Sequence, residues 1–319
     1  MHMKLWLIIA IVLIAIGCVI FASNMTLLDW DFSKLSTVKY ETTEHRITGE
    51  YANISVITDT ADIAFVVSEN ADTTVVCCEQ ENMKHTVATV DGTLRITVED
   101  TSKWYEHVGI NFGSPTITIH IPQGEYGSLS IQSSTGDVNI PKDFSFETVD
   151  ILESTGDITS RASVSGAVKI RTSTGDIAIE HINADSLTLA VSTGKVTVSE
   201  TNCEGDISVT VSTGKVNLND IRCRNVMSTG NTGDVSLQDV IATEQFSIHR
   251  STGDVKLNGC DAGEIYIETD TGRVSGSLLS DKVFITETDT GSVHVPKTTI
   301  GGRCEITTNT GDIKITVIG

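Results

Sequence analysis

Between residues 128 and 319, apolar and polar positions alternate in short runs that recur every 19 or 20 residues. Around Gly194 the apolar positions are Leu187, Leu189, Val196 and Val198; around Gly214 they are Ile207, Val209, Val216 and Leu218. Counted from the glycine, these are positions −7, −5, +2 and +4. A spacing of two within each arm marks a short strand with one face inward. The glycine between the arms marks a turn and predicts a positive φ. Its column is Gly136, Gly156, Gly175, Gly194, Gly214, Gly233, Gly253, Gly272, Gly291 and Gly311. Thr precedes every one of these glycines, Ser, Asn or Asp precedes the Thr, and Val or Ile stands at +2. A fixed frame with free residues between is the mark of a stacked repeat.

The pattern predicts an all-β fold, a parallel β-helix or β-solenoid of 19–20-residue rungs. Equivalent positions would then stack about 4.8 Å apart, so nine intervals span roughly 43 Å. No single rung closes a core, and stability must come from stacking. An antiparallel meander with Thr-Gly at each hairpin tip would also set aliphatic −5 against aliphatic +4. It would leave a wide apolar sheet face uncovered, which favours the solenoid.

The amino-terminal stretch has a different pattern. Leu5 to Ala22 is an uncharged run of eighteen residues, reaching about 27 Å as a helix, enough to cross a bilayer. Lys4 precedes it, and Asp29 and Asp31 follow. This asymmetry places the N-terminus in the cytoplasm and the rest outside, with Trp6 and Trp30 as interfacial anchors. A cleaved signal peptide, or lipidation at Cys18 in Ala15-Ile16-Gly17-Cys18, are the competing readings. The expected division is an anchor at 1–22, a polar stalk at 23–43, degenerate β rungs forming a cap at 44–127, and the regular solenoid at 128–319. Within the cap, Thr60-Ala61-Asp62-Ile63 repeats the phrase with Ala for Gly, and Val90-Asp91-Gly92-Thr93-Leu94 is a looser echo. The aromatic cluster at Lys103 to Phe112 is expected to plug the first rung. The sequence stops at Gly319 just past a strand, which leaves the edge of that rung open to self-association.

Composition narrows the picture. Net charge is −20 and aromatics are 5%, which suits thin Val- and Ile-lined rungs and argues against nucleic acid or an anionic lipid surface as partner. Of seven cysteines, Cys203 and Cys223 share an otherwise Ala column, while Cys260 and Cys304 take aliphatic core positions. They are expected to be buried free thiols, with a disulfide between the stacked neighbours Cys203 and Cys223 as the alternative. Cys77 and Cys78 are adjacent and ill placed to pair with each other. No Cys and His spacing resembles a zinc ligand set, and no cofactor is expected. The column after the glycine reads Asp137, Asp157, Asp176, Lys195, Lys215, Asp234, Asp254, Arg273, Ser292 and Asp312. Stacked carboxylates there could attract calcium, but the interleaved cations suggest a self-neutralised ladder. The Thr column and its Ser, Asn or Asp neighbour are expected to hydrogen-bond along the corner. Eight scattered His, nearly interchangeable rungs and no nucleophile motif argue against catalysis.

One N-terminal span, a stalk and ten Ser-Thr-Gly-Asp-[Val/Ile]-like phrases resemble the bacterial putative-adhesin family of unknown function, related in shape to head-GIN domain proteins. The resemblance runs from about residue 36 to the end. It implies a non-catalytic, extracytoplasmic β-helical domain, in some members linked to envelope stress, and offers no catalytic residues. Lys or Arg at three Asp positions, and Ser160 and Gly276 in the aliphatic +4 column, depart from the pattern. The expected protein is a single-pass, membrane-anchored surface solenoid with an adhesin-like or scaffolding role toward an envelope protein or surface polymer. An envelope-stress regulator acting through a membrane-protein partner and a polysaccharide-active β-helix enzyme are the alternatives.

Overall fold

The computed structural model describes residues 2–30, 40–70, 72–100 and 114–318. The aromatic cluster at 103–112 and residues 31–39 of the expected stalk lie outside the described residues. An α-helix, His2–Leu27, opens the chain. It runs five residues past the expected end at Ala22 because its polar side chains bond back to the helix itself. Asn24 Nδ2 donates to the Ile20 carbonyl at 2.8 Å and Thr26 Oγ1 to the Ala22 carbonyl at 2.7 Å, the back-bonding that lets short polar residues sit in a helix. Strand structure resumes at Tyr40–Ile47, which straddles the expected boundary between stalk and cap.

The repeat is a parallel β-solenoid. Successive rungs pair in register, Leu187 on Ile207 and Val209 on the next rung's Ser228, with Val216 on Val235 and Leu218 on Leu237 across the second arm. Identical columns therefore stack, as periodicity two on each arm requires. The −7 column, from Leu129 through Val149, Val168, Leu187, Ile207, Val226, Phe246 and Ile265 to Cys304, is buried, and Phe284 on the edge rung is half-buried. Burying each aliphatic side chain is worth about 1.5–3 kcal/mol, and each does so against neighbours above and below.

The turns of Gly175 to Gly253 also have a third inward segment at +7 and +9, where Ile182 and Ala184, Ile221 and Cys223, and Val240 and Ala242 are buried. A second corner at +6 introduces it. There His181, Glu200, Asp220 and Asp239 have φ of 56°, 49°, 48° and 53°, and Gly259 has 62°. Left-handed backbone at a non-glycine residue costs about 1–2 kcal/mol, which stacking against neighbouring rungs offsets. Gly276 marks a real irregularity: pairing slips between Leu257 and Cys260 opposite it. Ser160 marks none, since it pairs regularly with Ile140 and Ile179.

Rung order in space departs from chain order near both ends. The phrase Thr60-Ala61-Asp62-Ile63 does belong to a rung, formed by Asn53–Ile57 and Asp62–Val67. Outside it lies a later rung, Thr93–Asp100 with Thr116–Ile121, and inside it lies the rung of Gly136. Asp91-Gly92 is not a rung corner; it is the tip of the antiparallel hairpin Met83–Val90 and Thr93–Asp100, with both residues at positive φ. Tyr40–Ile47 and Thr73–Gln80 complete an antiparallel cap. At the other end, Gly302–Thr310 and Ile313–Val317 insert between the rung of Gly272 and the rung of Gly291. The expectation of an open edge just before Gly319 is thereby corrected. The edge without a described neighbour belongs to Lys282–Thr290 and Val293–His294, because the strands that follow them in the chain are held on both sides.

Candidate functional site

The corner at the repeat glycines is a continuous hydrogen-bonded ladder. Nine of the ten glycines, all but Gly291 on the edge rung, donate their N–H to the −1 Thr carbonyl of the adjacent rung, as Gly194 does to Thr213 at 3.0 Å and Gly214 to Thr232 at 2.8 Å. Nine of the ten glycines have φ between 127° and 159°. A side chain is excluded by the stack itself: a Cβ on Gly214 would lie 1.7 Å from the Gly194 carbonyl oxygen. The expected Thr and Ser/Asn/Asp side-chain ladder is largely replaced by main-chain bonds, with help from −3 hydroxyls such as Thr308 Oγ1 donating to the Gly272 carbonyl at 3.1 Å.

The +1 aspartates complete this corner. Asp62 accepts the Asp137 N–H at 2.9 Å, Asp137 that of Asp157 at 2.8 Å, Asp157 that of Asp176 at 2.7 Å and Asp176 that of Lys195 at 2.7 Å. Where the run breaks, the cations face carboxylates: Lys195 Nζ lies 3.2 Å from Asp176, Lys215 Nζ 3.5 Å from Asp234, and Arg273 Nε 4.0 Å from Asp312. Asp176, Asp234 and Asp312 thus spend one oxygen on backbone and share the other with a neighbouring cation. The column is structural, and its three cations offset half of its six aspartates. Asp312 is held below the usual carboxylate range by hydrogen bonds from Ser292, main chain and hydroxyl.

The interior contains polar groups that periodicity did not reveal. They lie in the −3 column, which holds Thr58, Ser133, Glu153, Thr172, Arg250, Thr269 and Thr308, all buried. Glu153 has neither carboxylate oxygen hydrogen-bonded, and burial raises its pKa to about 7. Arg250 reaches over Gly230 to the Val211 carbonyl at 3.2 Å and Ser228 Oγ at 3.1 Å. A side chain at Gly230 is excluded by backbone, since its Cβ would lie 1.9 Å from the Val211 carbonyl oxygen.

The column leads into the cap. Thr58 Oγ1 lies 2.9 Å from His85 Nε2, His85 Nδ1 lies 2.9 Å from Glu79 Oε2, and Thr43 Oγ1 donates to Glu79 Oε1 at 3.1 Å. Cys77 is buried beside them, with its thiol pushed up to about 12 by burial and by the Glu79 charge. Among the described residues, Cys77, Glu79 and His85 form a group that could hold a metal ion. Strand alternation in Thr73–Gln80 puts 77 and 79 on one face, which was legible. That a hairpin return would bring His85 beside them was not. The relay from Thr58 through His85 to Glu79 has the order of a nucleophile, base and orienting acid, yet all three are enclosed. On the surface, a cleft of about 560 Å³ opens between Glu44–Thr48, Val66–Asn70 and Thr73–Thr74.

All seven cysteines are free, and Cys203, Cys223, Cys260 and Cys304 are buried as their columns required. Burial pushes the Cys223 and Cys304 thiols up to about 12 and Cys260 to about 11, which leaves them unreactive.

Among solved structures, a putative adhesin from Bacteroides fragilis is similar at 15% identity and TM-score 0.43, covering 88% of this chain and 97% of that one. A putative adhesin from Parabacteroides distasonis matches at 11% identity and TM-score 0.47, covering 86% and 97%. A putative lipid binding protein from the same species matches at 13% and 0.41, covering 88% and 97%. No curated protein matches the chain. The toastrack DUF4097 family model matches residues 51–210 and again 201–319. Together these two matches span residues 51–319, well over half of the chain, so the chain belongs to the toastrack DUF4097 family.

Proposed function

We propose that this protein is a single-pass, membrane-anchored, extracytoplasmic solenoid without catalytic activity, holding an evenly repeating surface out to a partner at the cell envelope. The observation that carries this reading is the helix. Its segment Ile9–Leu27 has mean hydropathy 2.3 and is almost wholly uncovered by the rest of the protein. Leu13, Ile14 and Val19 are all more than 60% exposed, an arrangement that lipid would satisfy and water would not. Lys4 before the segment and Asp29 after it favour export of the solenoid. The non-catalytic reading draws support from the enclosed Thr58–His85–Glu79 relay, whose hydroxyl meets no solvent-borne substrate.

The test is protease added to intact cells, with a cytoplasmic marker as control. Removal of the solenoid from intact cells is expected, and full protection until the membrane is permeabilised would overturn the topology. Crosslinking on the same cells, followed by capture, should recover an envelope component. Release of sugar fragments from envelope polysaccharide by the purified protein would instead establish the enzyme.

A further inference from the structure

The polar cluster in the cap has the composition of a metal site. Thr73–Gln80 buries Val75, Cys77 and Glu79 on its inward face, and Met83–Val90 returns with His85 buried beside them. Cys77 Sγ, a Glu79 oxygen and a His85 ring nitrogen all lie within 4.8 Å of one another. We propose that Cys77, Glu79 and His85 bind a divalent transition metal of the Zn²⁺ class, with the fourth tetrahedral position taken by water.

Three features of the cluster point this way. The first is the donor set. One thiolate, one imidazole and one carboxylate suit Zn²⁺, with bonds of about 2.3, 2.0 and 2.0 Å; Ca²⁺ and Mg²⁺ require six or more oxygens. Tetrahedral bonds of that length place ligand atoms roughly 3.3–3.6 Å apart, so side-chain rotation, without rebuilding of the strands, closes the site. His85 Nδ1 and Glu79 Oε2 already approach to 2.9 Å, and the ion would replace the proton they share, which passes to Nε2 as the imidazole changes tautomer.

The second feature is the supporting shell. Ligating imidazoles are ordinarily held through their other nitrogen, and ligating carboxylates through their other oxygen. With Nδ1 on the metal, His85 Nε2–H donates to Thr58 Oγ1, already at 2.9 Å. Glu79 Oε1 keeps its bond from Thr43 Oγ1 at 3.1 Å. Both atoms that would not ligate are already held by partners from separate segments, and Glu79 Oε2 is itself aimed by the His85 main-chain N–H at 2.6 Å, with a lone pair left for the metal.

The third is charge. Cys77 loses its thiol proton to solvent when the S–metal bond forms, and two negative ligands then cancel the two positive charges of the ion. A neutral complex suits a site whose three ligands are all buried, where an uncompensated charge would be costly. Such an ion would join the hairpin of Thr73–Val90 to Tyr40–Ile47 through Thr43 and to the first rung through Thr58. Metal occupancy would therefore be linked to stability of the cap.

The experiment uses the untagged full chain in detergent, stripped with chelator and titrated with Co²⁺ and then Zn²⁺. One equivalent of Co²⁺ is expected, with a thiolate-to-cobalt charge-transfer band and the intense visible bands of tetrahedral cobalt, all displaced by Zn²⁺. Cys77→Ser should abolish the charge-transfer band, and Thr58→Val should weaken binding by about 10–100-fold. Cys260→Ser, at a buried thiol elsewhere, should bind as wild type does. The proposal is overturned if the wild-type chain binds no stoichiometric Co²⁺ or gives no thiolate band. It is equally overturned if Cys77→Ser or His85→Gln retains the wild-type spectrum. Should Cys77→Ser fail to fold, the wild-type and His85→Gln spectra decide between a metal site and a simple Thr–His–Glu hydrogen-bond relay.

Discussion

Gly214→Ala adds one methyl group at a point where adjacent rungs touch through backbone. Gly214 has φ of 142°, and the new Cβ would lie 1.7 Å from the Gly194 oxygen and 2.7 Å from its carbonyl carbon. Relaxed carbon–oxygen contacts are about 3.3–3.6 Å, so the two rungs must part by well over an ångström. That movement works directly against Gly194 N–H to Thr213 O at 3.0 Å and Val196 N–H to Lys215 O at 2.9 Å. Losing both costs about 2 kcal/mol, and a side chain at positive φ adds about 1–2 kcal/mol. The expected destabilisation is therefore about 3–4 kcal/mol. Lys215→Ala next to it removes an exposed side chain facing Asp234 at 3.5 Å and should change stability by no more than about 0.5 kcal/mol. Repeat arrays can unfold in parts, so hydrogen exchange is the sharper assay. Residues 187–237 should exchange about 100-fold faster in Gly214→Ala at fixed pH and temperature, while Lys215→Ala leaves them unchanged. If Gly214→Ala melts and exchanges like the wild type, the rungs are not in backbone contact at this corner and the stacking derived for it is wrong.

Three further outcomes follow from the interior and the second corner. Glu153, with its pKa raised to about 7 by burial, lends stability as a neutral acid that is whole below about pH 4.5 and lost as pH rises through 7. Glu153→Gln should flatten the pH dependence of urea unfolding between about pH 5 and 8 and exceed wild type at the upper end, by on the order of 3 kcal/mol; a parallel pH dependence in the two proteins would refute it. Glu200→Gly, at φ of 49°, should raise stability by up to about 1 kcal/mol while Glu200→Val lowers it, and the opposite order in a denaturant series would sink the account of the second corner. Alkylation of native protein should leave Cys203, Cys223, Cys260 and Cys304 free and slow to react, with all four modified on unfolding; a Cys203–Cys223 linked peptide in non-reduced digests would contradict this.

The repeat was readable because its constraints are local and recur. Val216 and Leu218 had to face inward once Ile207 and Val209 did, and Gly214 had to remain bare because every rung brings a carbonyl to the same place. The second corner was hidden because Glu200, Asp220 and Asp239 tolerate left-handed backbone without announcing it; Gly259 was its lone clue in the column. Glu153 and Arg250 were hidden for another reason: a charged residue two positions from a buried aliphatic reads as strand alternation drifting outward, although each turned inward. The cap cluster required knowing which hairpin strand returns beside which, and Cys77, Glu79 and His85 carry no spacing that encodes it. The exchange of rung order near the carboxyl end was beyond any periodicity. All rungs look alike in sequence, so Cys304 fits above Ile265 as readily as Phe284 does, and pairing alone decides between them.

That exchange bears on how the protein is made. Lys282–Thr290 pairs with Gly302–Thr310, and Val293–His294 pairs with Ile313–Val317; among the described residues neither has another partner. A chain emerging from amino to carboxyl terminus can lay down each rung on the one before it as far as Gly272. The segment 282–294 then has no template, because the surface it will occupy is built from residues not yet delivered. It must wait, and the rung at 302–317 must dock first, closing over the Gly272 rung before its predecessor settles on the outside. At the other end the order is reversed in kind: Asn53–Val67 is available at once, takes the rung of Thr93–Ile121 on one side, and offers the other as the seed for everything that follows. Growth along the stack is thus directional and sequential for most of the length, and its final step is a two-rung event that cannot begin until the strand Ile313–Val317 is free.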